Sequence, residues 1–421
     1  METSRIAIRT DTAAEWASTD PTLAAGEQGH ETDTGRRKIG DGTTAWNALL
    51  YSDHVARGLY ERSRRFMMLN NVAGRNTIVL PDNLAMDVGG KLLPLNVEVT
   101  IDADVAGSWD SATYATKANR AGKDFYIYAC APATGAVPVF KLSANSTFPS
   151  GYTASDSRKI GQFHCLCADV GSNVYPYVNE GKDEDYFGGV FASASLSNGD
   201  TKHWIEGFSA GDILPFSVQD LLHRPHNGAD REGRTYDPGK NRWVMIYLPS
   251  WDASAKRLVS FNGGTIADGV SSPAFHQYRF QQVLGRQGEM LADQGEFVSF
   301  SLGSPQGVQL SSGSDPVTTG GHLATNGQRI ISLIGVEDAT GVLWQWGRES
   351  GAGGTASYET ATDANDKNVA GEHYLAPNRP LFGGIWGGGA TCGSRFADWD
   401  SAALALSSGI GARIMSKSIE K

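Results

Sequence analysis

A chain of 421 residues is too long for one ordinary core and suits two or three domains. Its formal charge of −10 argues against a general nucleic-acid or anionic-membrane binder, because phosphate affinity needs clustered Lys and Arg and the longest basic run is Arg36-Arg37-Lys38. With 51 glycines, 19% charged residues and 10% aromatics, the composition is that of a turn-rich, mainly β protein.

The opening METSRIAIRTDTAAEW is interrupted by charges and does not read as a secretory signal, and no run of about 18 apolar residues could span a bilayer. The expectation is synthesis and assembly in a cytoplasm, with release by a route such as lysis and no membrane insertion. Residues 1–52 alternate short strands with GDG-type turns, as in KIGDGTTAWNALLY. So few large apolar side chains cannot bury much core alone, which points to symmetry mates such as those of a trimer.

Residues 53–75 read as a connector with some helical character. From 76 to 172, the runs TIVLP, KLLPLNVEVTID, DFYIYAC, VPVFKLSA and IGQFHCLC are strand-like and punctuated by Gly, Pro, Asn and Asp, giving a small antiparallel sandwich or barrel. Cys130, Cys165, Cys167 and Cys392 are too few for a disulfide framework and read as buried free thiols. In FHCLC, alternation puts Cys165 and Cys167 on one face and His164 on the other, which is awkward for a metal site.

Residues 173–421 have a different grain. WVMIYLPS is a strong strand, and residues 273–303 hold two short helices split at Gly285–Gly288. Trp344 and Trp346 alternate in GVLWQWG and belong to the core. If 384–392 is extended, Ile385, Gly387, Gly389 and Thr391 share one face and Trp386 anchors the other. A face of mostly small residues has little to pack against, so it looks outward and suits a binding platform. The alternative is a glycine-rich loop laid over the core.

Signs of catalysis are weak. The chain has no HExxH, CxxC or Walker-type loop, and GGGATCG is not a dinucleotide fingerprint. His223 and His226 flank Pro225, which breaks any helix that would align them. Glu180, Asp183, Glu184 and Asp185 could surround a hard cation but do not match an EF-hand, and a solvated acidic loop is the simpler reading. No cofactor or metal is called for, and nothing singles out a glycosidase carboxylate pair.

IRTDTAAEWASTDPTLAAGEQGHETDTGRRKIGDGTTAWNALLY resembles the N-terminal module of many phage tail fibres. The blocks DFYIYAC, FPSGYTASDSRKIGQFHC, GVLWQWGRES, RPLFGGIWGGG, CGSR and GARIM, in order along the chain, resemble the phage major tropism determinant family of retroelement-diversified receptor-binding proteins. The resemblance implies a non-enzymatic homotrimer with an N-terminal β-prism (1–52), a connector plus β-sandwich (53–172) and an α+β, C-type-lectin-like receptor-binding domain (173–421). It also implies a place in the virion at the tail tip or fibre, other tail or baseplate proteins as partners, and a host cell-surface protein or glycan as receptor.

The family's variable, ligand-contacting positions carry over to Ile385, Gly387, Gly389, Thr391, Asp398, Asp400, Ser401, Ala405, Ser407, Gly409 and Ile410. Trp386, Gly393, Arg395, Trp399 and Arg413 fall on scaffold positions. Most of the carried-over residues are small, where a paratope usually has aromatic anchors. Two alternatives stand beside this reading: an enzyme on the same fold and a purely structural baseplate protein. The formylglycine-generating chemistry of that fold needs two neighbouring cysteines, and only Cys392 lies in this region.

Overall fold

The computed structural model describes residues 8–49, 51–52, 68–69, 75–80, 82, 84–133, 137–171, 205, 207–221, 232–351, 353–354, 358–362, 368–374 and 377–418. Glu180, Asp183, Glu184, Asp185, His223 and His226 lie outside these residues, as does most of the 53–75 connector. The described chain is mainly β with few helices, as the composition predicts.

The N-terminal segment forms a three-stranded sheet of Arg9–Asp11, Gln28–Glu31 and Arg37–Ile39. The Ala13–Thr19 helix packs nearby, and the Thr12 side chain caps it by accepting from the Glu15 N–H. Its core is Trp16, Leu23, Trp46 and Leu49, with the two indoles stacked at 4.0 Å. Gly29 is required there, since a Cβ would stand 2.3 Å from the Trp46 ring. In KIGDGTTAW, the Asp41 carboxylate accepts from the Thr43 and Thr44 N–H groups at 2.8 and 2.7 Å, which closes the turn.

The middle of the chain holds a sheet in the order Val139–Ser143, Asp124–Cys130, Ser157–His164, Gln219–Asp220. A second sheet of Met68–Leu69, Thr77–Leu80 and Val99–Asp102 and the hairpin Leu84–Val88/Lys91–Leu95 accompany it. Ile78, Leu80, Met86 and Leu93 from the latter meet Phe125, Ile127 and Phe163 in the largest apolar cluster. That cluster continues into Val244, Phe297, Phe300, Phe382 and Met415, so the middle and C-terminal parts share one interior.

Strand alternation fails at FHCLC. The strand ends at His164, Cys165 keeps only an isolated bridge to Ile213, and Cys165 and Cys167 pack in different clusters. All four cysteines are free thiols. Helices Gln277–Gln287 and Gln294–Ser301 appear where the sequence places two, but Gly285 lies inside the first. The break falls at Gly288 alone, whose left-handed backbone caps the helix. Among the described residues no helix is long and apolar enough to cross a membrane.

Candidate functional site

The C-terminal sheet runs Gly393–Ser401, Arg379–Gly383, Trp344–Trp346, Ile410–Ala412. Trp344 and Trp346 pack on one cluster with Met245, Phe280 and Leu381, as their alternation predicts. Gln345 points to the opposite side and donates through Nε2 to the Ala339 carbonyl at 2.9 Å. Its Oε1 accepts from Arg413 Nε at 3.2 Å.

Arg413 is fully buried and also donates to the carbonyls of Met245, Ile246, Glu337 and Asp338 at 2.7–3.2 Å. Burial lowers the Arg413 pKa to about 10, with the charges of Asp338 and Glu337 opposing the shift. A guanidinium with this many fixed acceptors ties the sheet to its neighbours, consistent with a scaffold role.

Beside it, Asp338 accepts from Thr319 Oγ1, the Gly320 N–H and, at 2.9 Å, from His322 Nδ1. Burial pushes the Asp338 carboxyl up, but the His322 bond and charge, Gly320 and Arg413 outweigh it and hold the group below its ordinary value. Glu337 pairs with the nearly buried Arg329.

The segment after Gly384 is not the extended strand expected from alternation. Only Ile385 keeps a bridge, to Val342, and two turns follow. The Gly388 N–H donates to the Ile385 carbonyl at 2.8 Å and the Thr391 N–H to the Gly388 carbonyl at 3.0 Å. Gly389 adopts φ +55° and donates its N–H to Gln309 Oε1 at 2.6 Å. A run this rich in glycine has little strand preference, and turn bonds and a side chain from elsewhere decide its path.

The carried-over positions therefore divide. Gly387, Thr391, Asp398 and Asp400 are exposed. Ile385, Gly389, Ser401, Ala405 and Ser407 are half-buried. Gly409 and Ile410 are buried, which corrects their expected outward position. A Cβ on Gly409 would meet Ile385 Cδ1 at 2.1 Å, and Ile410 pairs with Trp344 and fills the core beneath the sheet.

Trp386 is half-buried against the cluster of Leu248, Val342 and Leu343, in keeping with a scaffold position. Trp399 is a correction: it is 37% exposed, with its ring 6.2 Å from that of Phe382. Register shifts in Gly393–Ser401 break the alternation, so Asp398, Trp399 and Asp400 are all exposed in succession.

Sequence reasoning missed the side chains that hold this surface. Gln309 fixes Gly389, Gln306 Oε1 accepts from the Ser394 N–H at 3.0 Å, and Asn378 Nδ2 donates to Asp400 Oδ1 at 2.6 Å. The two glutamines lie 80 and 88 residues from their partners, and no local pattern marks them. Among the described residues, no group of three or more His, Cys, Asp or Glu is placed to hold a metal ion.

The described architecture is that of a mainly β protein that displays small residues on turns and acidic residues on the edge strand of its C-terminal sheet. Family models for the major tropism determinant match in two places, the "Major tropism determinant N-terminal domain" over residues 6–44 and the "Mtd second domain" over 71–186. The "Tail fiber receptor-binding protein" of Bordetella phage BPP-1 is 29% identical over 398 residues, covering 90% of each chain. The solved M1 and U1 variants of the Major Tropism Determinant superpose with TM-scores of 0.64 and 0.63 at 25% identity, covering 99% of this chain and 100% of each of theirs. In sequence and in fold, this chain is similar to the major tropism determinant family.

Proposed function

We propose that this chain is the receptor-binding protein of a phage tail fibre and that it attaches the virion to a host cell-surface protein or glycan. The observation that carries the reading is the likeness, over nine-tenths of both chains, to a tail-fibre receptor-binding protein. The exposure of Gly387 and Thr391 in the turn segment, and of Asp398 and Asp400 on the Gly393–Ser401 strand, supports putting the receptor contact there. Half-buried Ile385, Gly389, Ser401, Ala405 and Ser407 form its margin.

In this reading the protein binds without catalysis or cofactor. It forms a homotrimer with a β-prism over 1–52, a sandwich over 53–172 and a C-type-lectin-like domain over 173–421. It is assembled in the host cytoplasm and joined to other tail proteins in the virion.

Competition tests the proposal. Purified full-length protein, added to host cells before phage, is expected to reduce adsorption in a dose-dependent way, and its labelled form is expected to bind those cells. Failure of both would remove the receptor-binding reading. Light scattering is expected to give three times the chain mass, and a monodisperse monomer would remove the trimer.

A further inference from the structure

Away from that face, the start of the Asp124–Cys130 strand, the 144–146 turn, Glu232 and residues 261–262 enclose a cleft of about 490 Å³. That volume falls within the range of small-molecule sites, roughly 300–1,000 Å³. No residue of 385–410 lines the cleft.

Its polar groups are held in place from behind. Asp124 Oδ1 accepts from the Gly233 N–H at 2.9 Å and bonds His164 Nδ1 at 3.0 Å, while His164 Nε2 bonds the Tyr247 hydroxyl at 2.9 Å. Asp124 Oδ2 has no hydrogen-bond partner among the described residues, and the side chain keeps 20% of its surface exposed. The buried Tyr126 hydroxyl donates to Glu232 Oε1 and so orients a second carboxylate. Phe261 presents an apolar ring that is 46% exposed, next to the exposed Asn262. The Asn262 side chain rests where Cβ atoms on Gly122 and Gly320 would come within 2.7 and 2.6 Å, so both glycines make room for it.

We propose that this cleft binds a neutral saccharide ring. Asp124 and the Asn262 carbonyl supply acceptors, and Ser146 and the Asn262 amide supply donors. Phe261 supplies a flat apolar face. A pyranose matches this mixture, with hydroxyls that donate and accept around its edge and C–H groups on its faces. A bare cation would use only the acceptors and leave the donors and the Phe261 face unmatched, and an anion would meet Asp124 and Glu232. The anchoring of both carboxylates from behind lowers the ordering cost of binding. The cleft is separate from the receptor contact proposed for the C-terminal face.

Ligand-observed saturation-transfer NMR on the full-length protein tests it, using free glucose, galactose, mannose and N-acetylglucosamine as probes and n-butylamine as a cationic control. At least one sugar is expected to receive saturation. Phe261→Ala and the rim-filling Ala144→Trp should each cut its affinity about fivefold or more, while Thr391→Tyr leaves it unchanged. Both altered cleft residues are exposed, so normal thermal melts are expected to accompany the loss. Silence from all four sugars, binding that survives both cleft variants, or displacement of the sugar by butylamine would each overturn the proposal.

Discussion

Gly389 donates its backbone N–H to the Oε1 atom of Gln309, 80 residues away in the chain, at 2.6 Å. One glutamine thus sets the path of the turn between Trp386 and Thr391. Replacing it with Ala removes one hydrogen bond, typically worth about 1 kcal/mol. Gln309→Ala is expected to lower the melting temperature by only a few degrees, about 2–4 °C, while phage carrying it adsorb measurably more slowly. Unchanged adsorption would mean that the turn does not contribute to attachment.

The His322–Asp338 pair makes stability depend on pH. Burial disfavours the charged imidazole, but the Asp338 bond and charge outweigh that effect and raise His322 above its ordinary 6.5. Because the folded value is the higher one, its stabilisation is complete below 6.5 and is lost as the pH climbs through the raised value. The Asp338 contribution runs the other way, present above 3.8 and lost as acid reaches its lowered value. Melting temperature is therefore expected to fall as the pH rises from 6.5 through the raised value, and His322→Gln should flatten that slope. Parallel slopes for the two proteins would show that another group governs it.

The thiols offer a test of burial. Cys130 and Cys165 are fully buried, and burial pushes Cys130 up to about 12 and Cys165 higher still. The nucleophile is the thiolate, so both are expected to resist iodoacetamide in the native protein at neutral pH. All four cysteines should be modified after denaturation without reductant. A disulfide-linked peptide pair in the mass spectrum would contradict the free-thiol structure.

The stacked Trp16 and Trp46 make up half of a four-residue core. Truncating a buried tryptophan typically costs about 3–5 kcal/mol, more than so small a module can absorb. Trp46→Ala is expected to unfold the N-terminal segment and weaken the proposed trimer, as light scattering would register, with the remaining melting transition little changed. A full-strength assembly would show that the N-terminal core is not needed for association.

How far this architecture was legible in the sequence depends on how regular each segment is. Trp344 and Trp346 were placed correctly because a paired central strand keeps the period of two, and Gln345 between them is directed at Arg413 by that same geometry. Period two failed wherever the backbone leaves the ladder. At Ile385–Thr391 the turn bonds and the Gln309 contact replace strand pairing, and in Gly393–Ser401 the register shifts carry Trp399 to the surface. Gly409 and Ile410 were misplaced for a different reason. Their burial depends on the parallel pairing with Trp344 and on Ile385 lying over Gly409, and both contacts are far apart in the chain.

The division of the C-terminal face into exposed, half-buried and buried positions leads to the last prediction. Thr391, Asp398 and Asp400 are exposed, and exposed substitutions away from caps and special backbone positions usually change stability by less than about 0.5 kcal/mol. Asp400 accepts from Asn378, so its replacement also frees that amide, at a surface where water can take over. Thr391→Tyr, Asp398→Ala and Asp400→Ala are expected to melt close to the parent protein while altering adsorption to host cells. Trp399 joins this group, since its exposure makes Trp399→Ala a probe of binding with a small effect on folding. Trp386 is half-buried against Leu248 and Val342, and Trp386→Ala is expected to cost about 2 kcal/mol or more, scaled down from the fully buried case. Gly389 is a poor probe because its φ of +55° strains other residues. Gly409→Ala should damage packing against Ile385 without reporting on the receptor. Adsorption assays beside thermal melts of the purified proteins separate the two groups. If Thr391→Tyr, Asp398→Ala, Asp400→Ala and Trp399→Ala adsorb normally, singly and combined, the receptor contact lies on another surface.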